Sequence, residues 1–260
     1  MKRFIMTLFL LVGVLNLGVA QTKVFTFVCE DKEDFPGVMG NSPAILPNNP
    51  GAGIEALRLV ASRLGIAIKF VRMPWTRALE FELKNGTVDG LFTASYKKER
   101  ETFGLYPMKA GVIDDSKALY SSNYVFYKLK SSKIEWDGKT LKGLLGNIGA
   151  PRGYSIVGDL QKLGYTMEES DGTLTDFKKM DANRMEIAAE LELTGDLFLE
   201  RNPYLAQKII KLSPPIVMKP YYVMLSKQFV AANPELAVKI WDSIGDMRSE
   251  YIKIAAKYLE

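Results

Sequence analysis

No histidine occurs among the 260 residues, and cysteine occurs once, as Cys29. The first absence removes Ser-His-Asp and Cys-His nucleophilic catalysis, together with every metal site that needs an imidazole. The second removes any internal disulfide. Cys29 lies in the run KVFTFVC, which reads as a buried strand where cysteine acts as a small hydrophobe rather than a reactive thiol. Neither a Walker-type nor a dinucleotide-type glycine loop is present, and the sequence implies no cofactor and no metal. A dominant charge is also missing: 34 basic residues face 30 acidic ones. Setting aside Lys2 and Arg3 leaves 32 against 30, a formal +2, which is no footprint for nucleic acid.

Long apolar runs are confined to the N-terminus. Lys2 and Arg3 precede the apolar stretch from Phe4 to Val14, and the small residues Gly18 and Ala20 stand before Gln21. This order is that of an export signal cleaved after Ala20. The stretch is near the lower limit for a membrane span, and Cys29 lies too far along the chain to carry a lipid anchor. The expectation is a signal peptide over 1–20, a soluble mature chain of about 240 residues, and a periplasmic location. That length suffices for one large domain or two modest lobes.

Strand-like and helix-like runs alternate, which predicts an α/β protein with largely parallel sheets. Residues 23–29 read as the first strand. A loop rich in Pro, Gly and Asn over 34–52 precedes a helix in which Ile54, Leu57, Val60, Ala61 and Leu64 recur at helical spacing and Gly65 ends the run. IAIKFV is a strand, TRALEFELKNG a helix and VDGLFTA a short buried strand. ALYSSNYVFYKL then reads as a long strand leaving the first unit. A second set follows: a strand near LLGNIG, a helix near YSIVGDLQKLG, the strand YTMEES, a helix near TDFKKMDANR, and MEIAAELE. KPYYVMLSK returns to the first unit before a closing helical stretch from Pro234.

Four stretches, taken in order, resemble the family-3 extracellular solute-binding proteins, the amino-acid type that serves ATP-driven importers. They are GAGIEALRLVASRLGIAIKFV, PWTRALEFELKNGTVDGLF, TASYKKERETFGLYP and GAPRGYSIVGDLQKLG. The resemblance implies the type II periplasmic-binding fold: two α/β lobes, each with its sheet, joined by two hinge crossings. Lobe one would comprise 21–118 and 220–260, and lobe two 119–219. It further implies a monomer that closes on a small-molecule ligand, with a membrane ABC permease or a sensor domain as partner.

The site follows from residue chemistry and resemblance together. Arg100 comes just after the hydroxyls Thr93 and Ser95, and a planar guanidinium suits a carboxylate bound through two parallel hydrogen bonds. In the family this arginine holds the ligand carboxylate; without the flanking pattern it reads as a surface arginine in KKERE. Trp75, fixed by Pro74, would pack on the ligand or else belong to the core. Phe35 resembles the family's aromatic lid. Arg152, Tyr154 and Ser155 sit where a turn opens a helix, a place with free N–H groups for an anion; Ser155 reads equally as the helix cap. Tyr154 would face Trp75 across the cleft, and Arg152 hints at a further negative group on the ligand or reads equally as an exposed salt-bridging arginine.

The departure from the family comes at MEIAAELE. Where the family places an aspartate for the α-ammonium, this chain has Leu191 between Glu190 and Glu192. Either glutamate is a substitute, Glu190 being preferred. Binding without catalysis is the expectation. The rival is a cyclohexadienyl-dehydratase-like enzyme with Glu190 or Glu192 as its acid; a second rival is a ligand-presenting sensor component.

Overall fold

The computed structural model describes residues 23–259, so the expected leader and its expected cleavage point lie outside the described residues. Strand β1 (Val24–Glu30) leads through a long loop to α1 (Ala52–Leu64) and β2 (Ala67–Met73). Next come α2 (Trp75–Arg77), which runs into a π-helical turn over Ala78–Leu83, and β3 (Gly90–Ser95). A small hairpin, β4 (Met108–Lys109) and β5 (Val112–Ile113), precedes the long β6 (Tyr120–Leu129). A second hairpin, β7 (Glu135–Trp136) and β8 (Leu141–Lys142), opens a run of alternating elements: β9 (Ile148–Pro151), α3 (Ser155–Lys162), β10 (Met167–Ser170), α4 (Thr173–Asp181) and β11 (Ile187–Leu191). Helices α5 (Glu192–Arg201) and α6 (Pro203–Lys208) lead to β12 (Ile209–Lys211) and β13 (Val217–Leu225). Helices α7 (Lys227–Ala232), α8 (Pro234–Asp246) and α9 (Arg248–Leu259) follow.

The local rules hold well. Ile54, Leu57, Val60 and Ala61 of α1 are all buried, and Gly65 takes the left-handed conformation (φ 64°) that ends the helix. Gly51, just before α1, has φ 119°, and a Cβ there would lie 2.4 Å from the Gly37 carbonyl oxygen; no other residue fits. Every residue of β3 is buried. Cys29 is also buried, and burial pushes its thiol up to about 12, so it does not act as a nucleophile.

Two separate sheets were expected, and the strands instead form one continuous nine-stranded sheet, ordered β10-β9-β11-β6-β13-β3-β1-β2 with β12 also on β6. The reason is the length of the two crossing strands. β6 and β13 pair antiparallel from Tyr120↔Tyr221 to Tyr124↔Val217. Beyond that stretch they part: β6 goes on to pair with β11 and β13 with β3. The pairs β1–β2, β1–β3, β9–β10 and β9–β11 are parallel, as alternating strands and helices require.

Each half of the sheet is covered on both faces. In one half Phe27, Leu57, Phe92 and Ile240 pack under α1, α8 and α9, while Val28, Leu79, Leu91 and Met224 fill the opposite face. In the other half Phe126, Ile156, Leu160 and Ile187 form one layer and Tyr127, Phe177, Met180 and Phe198 the second. Full burial of one such side chain is worth about 1.5–3 kcal/mol, so truncating Leu57 would cost about 2–5 kcal/mol.

Candidate functional site

The carboxyl ends of the parallel strands supply the site, as open α/β sheets ordinarily do. β1 ends on Glu30, and Asp34 follows in the turn closed by the Asp34–Val38 bridge. β3 ends on Ser95. Within β3 the residues Phe92 and Thr93 together face the single residue Val223, because the register with β13 shifts between Tyr222 and Met224. Thr93 adopts φ 66° at this bulge. That conformation is rare for a β-branched residue, and such strain gathers at functional sites.

From the other half, β9 and its turn lead into α3. Tyr154 occupies the N-cap position and makes no capping bond through its side chain. Ser155 is therefore the first helical residue and not the cap. Its hydroxyl is engaged across the cleft instead, accepting from the Ser95 hydroxyl at 2.8 Å and from Lys219 Nζ at 2.9 Å.

Arg100 is 5% exposed. Its guanidinium donates to the Ser95 carbonyl at 2.8 Å and, across the cleft, to the Gly153 carbonyl at 2.9 Å. It also lies 5.3 Å from the centre of the Trp75 ring. Trp75 meets Tyr154 edge-to-face at 6.4 Å. The Tyr154 hydroxyl then donates to Glu30 at 2.6 Å, and the Tyr120 hydroxyl donates to Asp34 at 3.0 Å. Burial raises both carboxyls, Glu30 to about 8 and Asp34 to about 6.

These groups border a narrow cavity lined by Glu30, Asp34, Trp75, Thr93, Ser95, Arg100, Tyr124, Tyr154, Ser155, Leu191 and Tyr221. Trp75, Thr93, Ser95, Arg100, Tyr154 and Ser155 are thus brought together. Among the described residues, two buried polar groups at this cavity have no hydrogen-bond partner, the Trp75 indole nitrogen and the Tyr221 hydroxyl.

Three expected residues are not part of it. Glu190 is fully buried and turned away, because successive side chains on a strand face opposite sides; Leu191 takes the cavity side. Glu190 accepts from the Thr173 hydroxyl at 2.7 Å, and burial plus the neighbouring Asp176 carboxylate hold it well above the usual carboxylate range. Arg152 points outward, 3.7 Å from Asp171 with its side chain 59% exposed, beside a neighbouring surface hollow. Phe35 does not line the cavity; its backbone N–H docks on the Thr194 hydroxyl at 3.1 Å. The alternative Glu192 also lies outside, accepting from Asn123 at 2.8 Å and from Lys211 at 2.7 Å.

Sequence reasoning missed Glu30, Asp34, Tyr124, Leu191 and Tyr221. Glu30 carried a usable signal, since it is the charged residue that ends an apolar strand. Tyr124 and Tyr221 carried none; only the pairing of β6 with β13 brings them to the site.

No protein-family model and no curated protein sequence matches this chain. Solved structures do. An ancestral arginine-binding protein bound to glutamine superimposes with a TM-score of 0.69 at 17% identity, over 90% of this chain and 97% of that one. The GluR0 ligand-binding core from Nostoc punctiforme, in complex with L-glutamate, gives 0.66 at 16% identity, over 90% and 98%. A histidine kinase sensor domain with similarity to periplasmic binding proteins gives 0.69 at 17% identity, over 91% and 96%. Built as two α/β halves with the cavity at their junction, the chain has the type II periplasmic-binding fold.

Proposed function

We propose that this protein binds a small polar solute carrying a carboxylate, closing its two lobes around it, and delivers it to a membrane ABC permease. The observation that carries the reading is the place of Arg100: a buried guanidinium at the cavity wall, braced by Ser95 and the Trp75 ring. In a water-poor cleft such a fork is worth far more to a carboxylate than on the surface. The cross-cleft bonds Ser95–Ser155, Arg100–Gly153 and Tyr154–Glu30 support closure as the binding motion. Ligand affinity and the closed state are then linked.

The lobes are taken as 21–118 with 220–260, and 119–219, consistent with the separate cores of the two halves. Export, cleavage after Ala20, a periplasmic location and a monomeric state complete the reading. Among the described residues no helix is long and apolar enough to cross a membrane. Enzymatic dehydration by Glu190 or Glu192 finds no support, since neither lines the cavity. A sensory role, with the same ligand chemistry and a sensor domain as partner, is favoured by one observation, the similarity to a histidine kinase sensor domain.

The test is a thermal-shift screen of the mature chain against amino acids, small carboxylates and polyamines, followed by calorimetry. A carboxylate is expected to raise the melting temperature. Arg100→Ala should then weaken binding by about two to four decades, the effect of unpairing a desolvated charge at about 3–5 kcal/mol. Arg100→Lys should recover part, because an ammonium lacks the planar fork. Binding of polyamines alone, or an Arg100→Ala variant within about threefold of wild type, rejects the reading.

A further inference from the structure

Building on the carboxylate reading above, we infer that the solute carries a cationic group remote from its carboxylate, received by Glu30 and Asp34, and has no α-ammonium to place. Three charged side chains line the cavity, Arg100 on one side and the carboxylates Glu30 and Asp34 on the other. The contacts order them in space. Arg100 stacks over Trp75, Trp75 meets Tyr154, and Tyr154 reaches Glu30. The path of contacts from the guanidinium to Glu30 thus runs through two aromatic rings, and no salt bridge joins Arg100 to either carboxylate among the described residues. A ligand that touches both ends must carry its charges apart.

The acidic end is incomplete without such a ligand. Among the described residues neither Glu30 nor Asp34 has a salt-bridge partner within 4.0 Å. Each accepts a hydrogen bond from one tyrosine, which leaves most of its acceptor capacity unused. Two buried carboxylates, the Asp34 charge raising Glu30 further, are costly unless a cation joins them. The wall formed by β11 points the same way. Leu191 presents an apolar side chain where it meets the cavity, and the neighbouring Glu190 faces the opposite layer. That wall offers nothing to an ammonium beside the carboxylate. At the carboxylate end the unpartnered Trp75 N–H is a donor that an anionic oxygen would take up. The cavity is narrow, closed in by Trp75, Tyr124, Tyr154 and Tyr221, so the solute is compact. An ω-amino carboxylate has this chemistry.

Calorimetry with γ-aminobutyrate, α-aminobutyrate and butyrate tests the inference on the full mature chain. The γ-isomer is expected to bind at least about tenfold tighter than the other two. Glu30→Gln combined with Asp34→Asn should erase that preference, whereas Arg100→Ala should erase binding of all three. Leu191→Asp, which leaves the acidic end intact, should raise affinity for the α-isomer specifically. Equal or tighter binding of α-aminobutyrate by wild type overturns the inference, as does a preference that survives in the double variant. If other carboxylates bind through Arg100 and none of these three does, the inference falls and the carboxylate reading stands. If no carboxylate binds, both fall.

Discussion

Glu30 with Asp34, and Asp176 with Glu190, are two pairs of buried carboxylates in the same chain, and they behave differently. All four side chains are nearly or fully removed from solvent, and burial raises all four carboxyls. The first pair borders a cavity, and each member is held by a tyrosine from another element. The second pair is sealed between α4 and β11. There Glu190 has one partner, Thr173, and both Asp176 oxygens have no other donor. Such a pair is stable when one carboxyl keeps its proton and donates to the other. A buried acid is thus not by itself a site. Access to a cavity separates an acid that meets a ligand from one that only closes a hydrogen bond within the fold.

The contrast breaks most readily by substitution at equivalent points of the two pairs. Glu30→Leu should weaken a bound cationic carboxylate by about two decades or more, as expected when one side of a desolvated charge pair is removed. The unliganded protein should lose little stability. Loss of ligand-free stability without loss of affinity would merge the two pairs into one structural class.

Glu190→Leu should do the reverse. Affinity should stay within about twofold, while stability in urea falls by about 1–3 kcal/mol, because Asp176 and Thr173 lose a buried partner. An equal loss of affinity would place Glu190 back in the site.

The dependence on pH is a finer discriminator. The folded carboxyl of Glu30 holds its proton to about 8, against 4.5 in the unfolded chain, and Asp34 to about 6, against 3.8. In that window the folded state binds more protons than the unfolded one, so stability should fall as pH rises from about 4.5 to about 8. Tyr154, Asp34, Asp31 and Lys32 are the groups that act on Glu30. A saturating cationic ligand should flatten the part of this slope due to Glu30 and Asp34. The part due to Asp176 and Glu190 should remain. Urea titrations at stepped pH, with and without ligand, separate the two contributions; a slope that the ligand leaves untouched would count against a cation at Glu30.

The smallest effect belongs to Arg152→Ala, at the surface hollow beside the cavity. Its ion pair with Asp171 is exposed and 3.7 Å long, a kind worth about 0–1 kcal/mol. Neither affinity nor melting temperature should change measurably, and a tenfold affinity loss by calorimetry would restore it to the site.

Much of this protein is legible in its sequence because the signals are local. Helical spacing placed α1, the apolar runs placed β1, β3 and β11, and the long runs beginning near Ala118 and Lys219 marked β6 and β13. The missing histidines restrict the chemistry with no structure at all. That Arg100, Trp75, Ser95 and Tyr154 line a cavity was legible from the family-like stretches that hold them, and each follows a strand end or opens a helix, where side chains and N–H groups of different elements converge. What only the tertiary structure decided is which neighbour faces inward. On β11 the sequence offers Glu190, Leu191 and Glu192 side by side, and a shift of one residue reverses the faces. The pairing Glu190↔Val125 and Leu191↔Tyr124 makes that choice. Tyr124 and Tyr221 reach the cavity for the same reason, through the long-range pairing of β6 with β13. Periodicity is written in the chain, whereas the face that becomes a cavity wall depends on register between strands far apart in sequence.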